Sequence, residues 1–274
     1  MGANGRLEES PQPTVAQPPP GTRRRRRRTR AHAALRAVDS SMTGTCLLSI
    51  RARPCNDRPV ADEWFRSPAW GPEDREEFER RLRRARSDGR GQYMRIKGLA
   101  LRDAGEFDGA RDLWERVLED PGFQMERWSS LEHLAVLFFD SDPARAEALY
   151  RQLLAENPTL NGTTEMAEVR LAELLTRKDS PEGLREAGEL LKSWANDRQS
   201  PFPANHFRWE VALARWGAAV GDEAVTVDAA RRALAHVEAG SPFPRHPGVG
   251  LVQADTELLN WLRELAAGSS PHSD

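Results

Sequence analysis

QYMRIKGLALRDAGEFDGARDLWERVLEDPGF, residues 92–123, contains two amphipathic segments joined by a short turn. In the first, Ile96, Leu99 and Ala100 share one helical stripe, and Asp103, Ala104 and Gly105 close it. In the second, Phe107, Ala110, Leu113, Trp114, Val117 and Leu118 recur at steps of three and four, the spacing of a helix with one buried face. Gly105 reads as a left-handed stop, and Pro121 with Gly122 ends the second segment. Helices this short cannot bury a stripe alone, so the pair predicts a hairpin that needs neighbours.

The grammar recurs. Residues 128–158 carry Leu131, Leu134, Ala135 and Phe138, then a turn at 140–143, then Ala146, Tyr150, Leu153, Leu154 and Pro158. Residues 164–195 repeat it more loosely with Leu171, Ala172, Leu175, Ala187, Leu191 and Trp194, and Ser180-Pro181 reads as an N-cap and first helical residue. A fourth hairpin, 205–239, keeps Leu213, Ala214, Gly221, Ala229 and Ala230.

Gly98, Leu101, Gly105, Phe107, Ala110, Trp114, Leu118 and a Pro close behind follow the order of a tetratricopeptide repeat, a helix–turn–helix unit of about 34 residues. Lys97 stands where that pattern has Leu, Val117 where it has Ala, and Pro121 comes one place early. Over 92–239 the chain therefore resembles a degenerate tetratricopeptide-repeat protein. The resemblance implies an all-α, right-handed solenoid of about ten helices. Its first helices would line a concave groove that takes an extended peptide or a partner's helix, without a cofactor. The paired Lys and Asn residues of the carboxylate-clamp subfamily have no counterpart here.

The flanks are different material. Residues 1–41 are Pro-rich and polar, with Arg23, the five arginines that follow it, and Arg30. They hold nine arginines against three acids and are expected to be a disordered extension. Composition changes abruptly at Met42, so translation is expected to start there; the competing reading is a polybasic arm for nucleic acid or anionic lipid. The remainder carries a net charge of about −8, which disfavours nucleic-acid contact elsewhere. Residues 42–71 form an extended lead-in containing Cys46, Leu48, Ile50, Trp64, Phe65 and Trp70. The three aromatics read as a plug over the end of the helices, with a ligand-stacking cage as the alternative. Residues 72–268 are the helical domain and 269–274 a tail. Within the domain, a helix over 73–86 is expected to stop at Ser87-Asp88-Gly89, and a closing helix runs over 251–267.

The two cysteines, Cys46 and Cys55, suit neither a disulfide scaffold nor a zinc site, which points to a reduced, cytoplasmic protein. No apolar run is long enough to span a bilayer, and no export signal is read from the arginines and the interrupted alanines after them.

No phosphate loop, nucleophile elbow or metal-ligand spacing is present. Glu76/Glu77 and Glu165/Glu168 read as solvated helix faces. His246, beside Arg245 between Pro244 and Pro247, is the one candidate for an enzymatic alternative. The non-catalytic reading rests on arginines at a seven-residue step on the first helices: Arg95/Arg102, Arg170/Arg177 and Arg208/Arg215. Two turns apart, each pair keeps to one face, where guanidinium groups can grip carboxylates of an acidic partner. Lys97, Lys178 and Lys192 are the only lysines, so any such arginine pattern stands on a high background. On this frame Trp114 and Tyr150 are core and the six arginines are exposed.

Overall fold

The computed structural model describes residues 63–268, apart from 121, 123, 199, 240–242 and 247. The arginine-rich extension and the first part of the lead-in lie outside the described residues. Among those described, the protein is all-α, with ten helices and no strand.

A short 3-10 turn, Trp64–Arg66, leads into α1, Pro72–Arg84, and α2, Ser87–Asp103. The hairpin predicted from sequence is α2 with α3, Phe107–Glu119. Gly105 closes α2 at φ +84°, a conformation that side chains resist. Gly98 is where the two helices cross. A Cβ there would lie 2.4 Å from Nε1 of Trp114, which fills the gap and donates to the Arg95 carbonyl at 3.2 Å.

The pattern continues through α4, Gln124–Phe138, with α5, Pro143–Glu156; α6, Ala167–Lys178, with α7, Pro181–Asp197; and α8, Pro203–Val220, with α9, Glu223–Glu238. Three of the second helices carry the N-cap that their sequence signals. The Asp142 carboxylate accepts from Arg145 N–H, Ser180 Oγ from Gly183 N–H and Asp222 from Val225 N–H. The last helix, α10, Thr256–Ala266, packs on α9.

Successive hairpins touch in three ways. Each second helix packs on the next first helix, in α3/α4, α5/α6 and α7/α8. First helices lie side by side in α2/α4 and in α6/α8. Second helices are bridged by ion pairs, Arg145 to Glu115 at 2.6 Å and Arg151 to Glu186 at 2.6 Å. Three clusters of buried side chains run along the chain. Trp114 and Tyr150, both 0% exposed, sit at equivalent places in the first two hairpins, four residues after the buried Ala110 and Ala146.

Two boundaries and one acidic pair differ from the sequence reading. The break after α1 falls at Ala85–Arg86, and Ser87-Asp88-Gly89 opens α2 instead of ending α1. Arg90 explains the shift: it reaches back to the carbonyls of Arg83 at 2.9 Å and Ala85 at 3.2 Å, capping α1 from the next helix. The closing helix begins only at Thr256, where Asp255 caps it by accepting from Leu258 N–H at 2.7 Å. Glu168 is not on a solvated face. It is 7% exposed and paired with Arg198 at 3.0 Å, while Glu165 lies in a turn at φ +65°.

Candidate functional site

Lys97, the residue that breaks the repeat pattern, ties down the lead-in. Its ammonium, on a residue only 2% exposed, donates to the carbonyls of Ser67 at 2.6 Å and Ala69 at 2.9 Å. It also lies over the rings of Trp70 and Phe78, at 5.2 and 5.7 Å from their centroids. Burial holds its pKa below the usual lysine value. Trp64, Phe65 and Trp70 pack with Phe78 and Tyr93. Of the three aromatics considered as a ligand cage, Trp70 is covered by the protein's own lysine, and all three pack against Phe78 on α1 or Tyr93 on α2.

The six arginines all lie on the first helices of their hairpins, α2, α6 and α8, but the expectation that they are exposed fails for four of them, Arg95, Arg102, Arg170 and Arg208. The Arg102 side chain is 11% exposed, and that of Arg170 is 17% exposed. Arg170 pairs with Glu173 at 2.6 Å and lies over the Phe139 ring at 3.7 Å. Arg95 and Arg208 are half-buried. Burial lowers both pKa values; the Glu126 carboxylate opposes this at Arg95 and Arg66 adds to it, while at Arg208 Arg170 adds to it and Glu173 opposes it. Neither has a hydrogen bond or ion pair from its guanidinium among the described residues. Arg102 pairs with its neighbour Asp103 at 2.7 Å. Arg177 pairs with Asp140 at 2.8 Å and covers the Phe139 ring at 4.5 Å. The exposed Arg215 lies 5.5 Å from the Trp261 ring centroid. For Arg170 the reason lies outside its own sequence pattern: Phe139 and Tyr150, which enclose it, come from the preceding hairpin.

Around Arg170 and Arg208 the first helices carry a buried polar cluster that sequence reasoning missed. Glu132 on α4 is 3% exposed. One of its oxygens accepts from Thr164 Oγ1 at 2.5 Å and the other from Thr164 N–H at 2.9 Å, pinning the 157–166 connection. Burial raises its pKa against those bonds and against the charges of Arg170 and Arg208. Tyr150, on α5, is pushed up to about 12 by burial. Its hydroxyl lies next to the Arg170 guanidinium, but the contact does not meet hydrogen-bond geometry, and the hydroxyl has no partner. Arg170 Nε and Ser130 Oγ are also buried without partners. His133, on α4, packs on Trp114 with ring centroids 5.1 Å apart. Burial, then the charges of Arg95 and Arg102, hold its pKa well below the usual histidine value.

His246 lies on an exposed turn whose N–H donates to the Phe243 carbonyl at 2.8 Å; Phe243 anchors that loop against Phe202 at 5.5 Å. Among the described residues no group of three or more His, Cys, Asp or Glu is placed to hold a metal ion, and no helix is long and apolar enough to cross a membrane. No family model, curated protein or solved structure matches the chain.

Proposed function

We propose that the protein is a non-catalytic interaction module, a tetratricopeptide-like right-handed solenoid whose first helices line a groove for an acidic peptide or partner helix. The architecture that supports this is the alternation itself. First helices are neighbours in α2/α4 and in α6/α8, and second helices are bridged in α3/α5 and in α5/α7, as in stacked hairpins. The observation that carries the functional reading is the state of Arg95 and Arg208. Both are half-buried cations on first helices, and neither has a hydrogen-bonded acceptor of its own among the described residues. A half-buried guanidinium with no acceptor in the protein can take a partner carboxylate through charge-assisted, bidentate hydrogen bonds.

The test is binding of short acidic, neutral and basic peptides to the protein and to an Arg95→Met, Arg208→Met double variant. Selective binding of acidic peptides, weakening with salt and lost in the double variant at unchanged melting temperature, is the expected result. Equal binding of all three peptide classes would contradict it.

A further inference from the structure

The connection between α5 and α6, residues 157–166, is anchored by side chains from three hairpins. Ser129 Oγ on α4 donates to the Gly162 carbonyl at 2.6 Å, and Glu132 on the same helix holds Thr164. Trp194 Nε1 on α7 donates to the Glu165 carbonyl at 2.8 Å, and Asn205 Nδ2 on α8 to the Thr164 carbonyl at 3.3 Å. Within it, Thr163 N–H donates to the Leu160 carbonyl at 3.1 Å, closing a turn whose central residues are Asn161 and Gly162. Both are exposed, and Gly162 adopts φ +79°. The Asn161 carbonyl accepts from Asn157 Nδ2 at 3.0 Å. Neither the Gly162 N–H nor the Asn161 side-chain amide has a hydrogen bond among the described residues. The other described asparagines differ. Asn157 precedes Pro158, which has no N–H, and Asn196, Asn205 and Asn260 lie in helices, where the next N–H is committed to the backbone ladder.

We propose that Asn161 is a self-modification site, where the Gly162 nitrogen closes onto the Asn161 side chain and ammonia leaves. The nitrogen gives up its proton and bonds to Asn161 Cγ; the Cγ–Nδ2 bond breaks, and the departing amide group takes up that proton. The product is a five-membered cyclic imide. Water then opens one of the two imide carbonyls, its hydroxyl going to the carbon and its proton to the nitrogen. An aspartyl or an isoaspartyl residue is left at 161. No electrons are transferred, and water is the only co-reactant. Glycine suits this step because no side chain shields its nitrogen, and here no hydrogen bond has to be given up first. The isoaspartyl product runs the main chain through Cβ and Cγ, which inserts a methylene and frees a carboxylate. The carbonyls that now meet Asn157 and Ser129 then lose their present spacing. The modification therefore loosens the joint between the second hairpin and the two behind it.

Ageing of the full chain in warm, mildly alkaline buffer, followed by peptide mapping, tests this. The peptide containing residue 161 should show the mass gain of amide to acid and accept methyl groups from a protein isoaspartyl methyltransferase. Peptides containing Asn157, Asn196, Asn205 or Asn260 should do neither. Asn4-Gly5, the other Asn-Gly step in the chain, is the internal reference. Conversion at residue 4 with residue 161 intact would overturn the proposal, because the folded turn would then bar the attack. Conversion of all the asparagines alike would overturn it too, since the turn would then confer nothing. The loosening is read separately, in an Asn4→Gln chain whose aged form is isolated by its added negative charge. Its amide hydrogens should exchange faster over residues 160–165 than in fresh protein, while α2 and α3 keep their protection. Freshly prepared Asn161→Asp brings the charge without the methylene and should exchange as the fresh parent does. Equal exchange in aged and fresh protein would overturn the loosening.

Discussion

Trp114 is shut off from solvent, with Gly98 under its ring and the Arg95 carbonyl on its indole N–H. Truncating it to Ala removes that filling from a crossing that cannot collapse, and should cost about 3–5 kcal/mol in urea denaturation. Arg170→Ala should cost about 3 kcal/mol, because it strands the buried Glu173 and uncovers Phe139. A loss below about 0.5 kcal/mol, the usual figure for an exposed residue, would contradict the burial described here. Tyr150→Phe should behave in the opposite way. Its hydroxyl is buried without a partner, so removing it is expected to be neutral or to stabilise by about 1 kcal/mol. Destabilisation beyond about 1 kcal/mol would mean the hydroxyl has a partner after all. The sequence identified both aromatics as core, because each follows a small residue by four on an apolar stripe. It misplaced Arg170 because nothing in the local pattern reveals that Phe139 and Tyr150, from the preceding hairpin, enclose it.

At the scale of single elements, the helices were legible where side-chain periodicity and capping agreed. Ser180, Asp142 and Gly105 do what their types predict. The break between α1 and α2 was not legible, since Ser-Asp-Gly is a plausible stop and the true cap comes from Arg90 inside the next helix. The lead-in is a similar case: its docking depends on one lysine that looks like a lapse in the repeat. Lys97→Leu restores the repeat pattern but removes the donor to Ser67 and Ala69. Hydrogen exchange should then quicken across residues 64–71 while the hairpins from α3 onward keep their protection. Unchanged protection of that segment would show that the aromatics alone hold it.

For the molecule as a whole, buried histidines set the response to acid. His133 is held neutral in the folded state, with a pKa well below that of the unfolded chain, and His236 is lowered by burial and by its stacked neighbour His206 at 5.6 Å. The unfolded state therefore binds more protons below about pH 6.5, and stability falls as pH drops through that value. The slope should approach about 1.4 kcal/mol per pH unit for each such histidine. Glu132 acts with the opposite sign at lower pH. Its raised folded pKa means the native state takes up a proton first, which returns part of the loss. Thermal melts between pH 7.5 and 5.5 should show the decline, and His133→Gln should flatten it. A flat profile in the wild type would contradict the buried, neutral histidine.

The most direct test of the proposed binding face is nuclear magnetic resonance of the protein titrated with the acidic peptide. Amide and arginine Nε–H signals would be followed together. Shifts are expected to gather on α2, α4, α6 and α8, with Arg95 and Arg208 among the largest. Shifts gathered on α3, α5, α7 and α9, with those arginines unmoved, would contradict it.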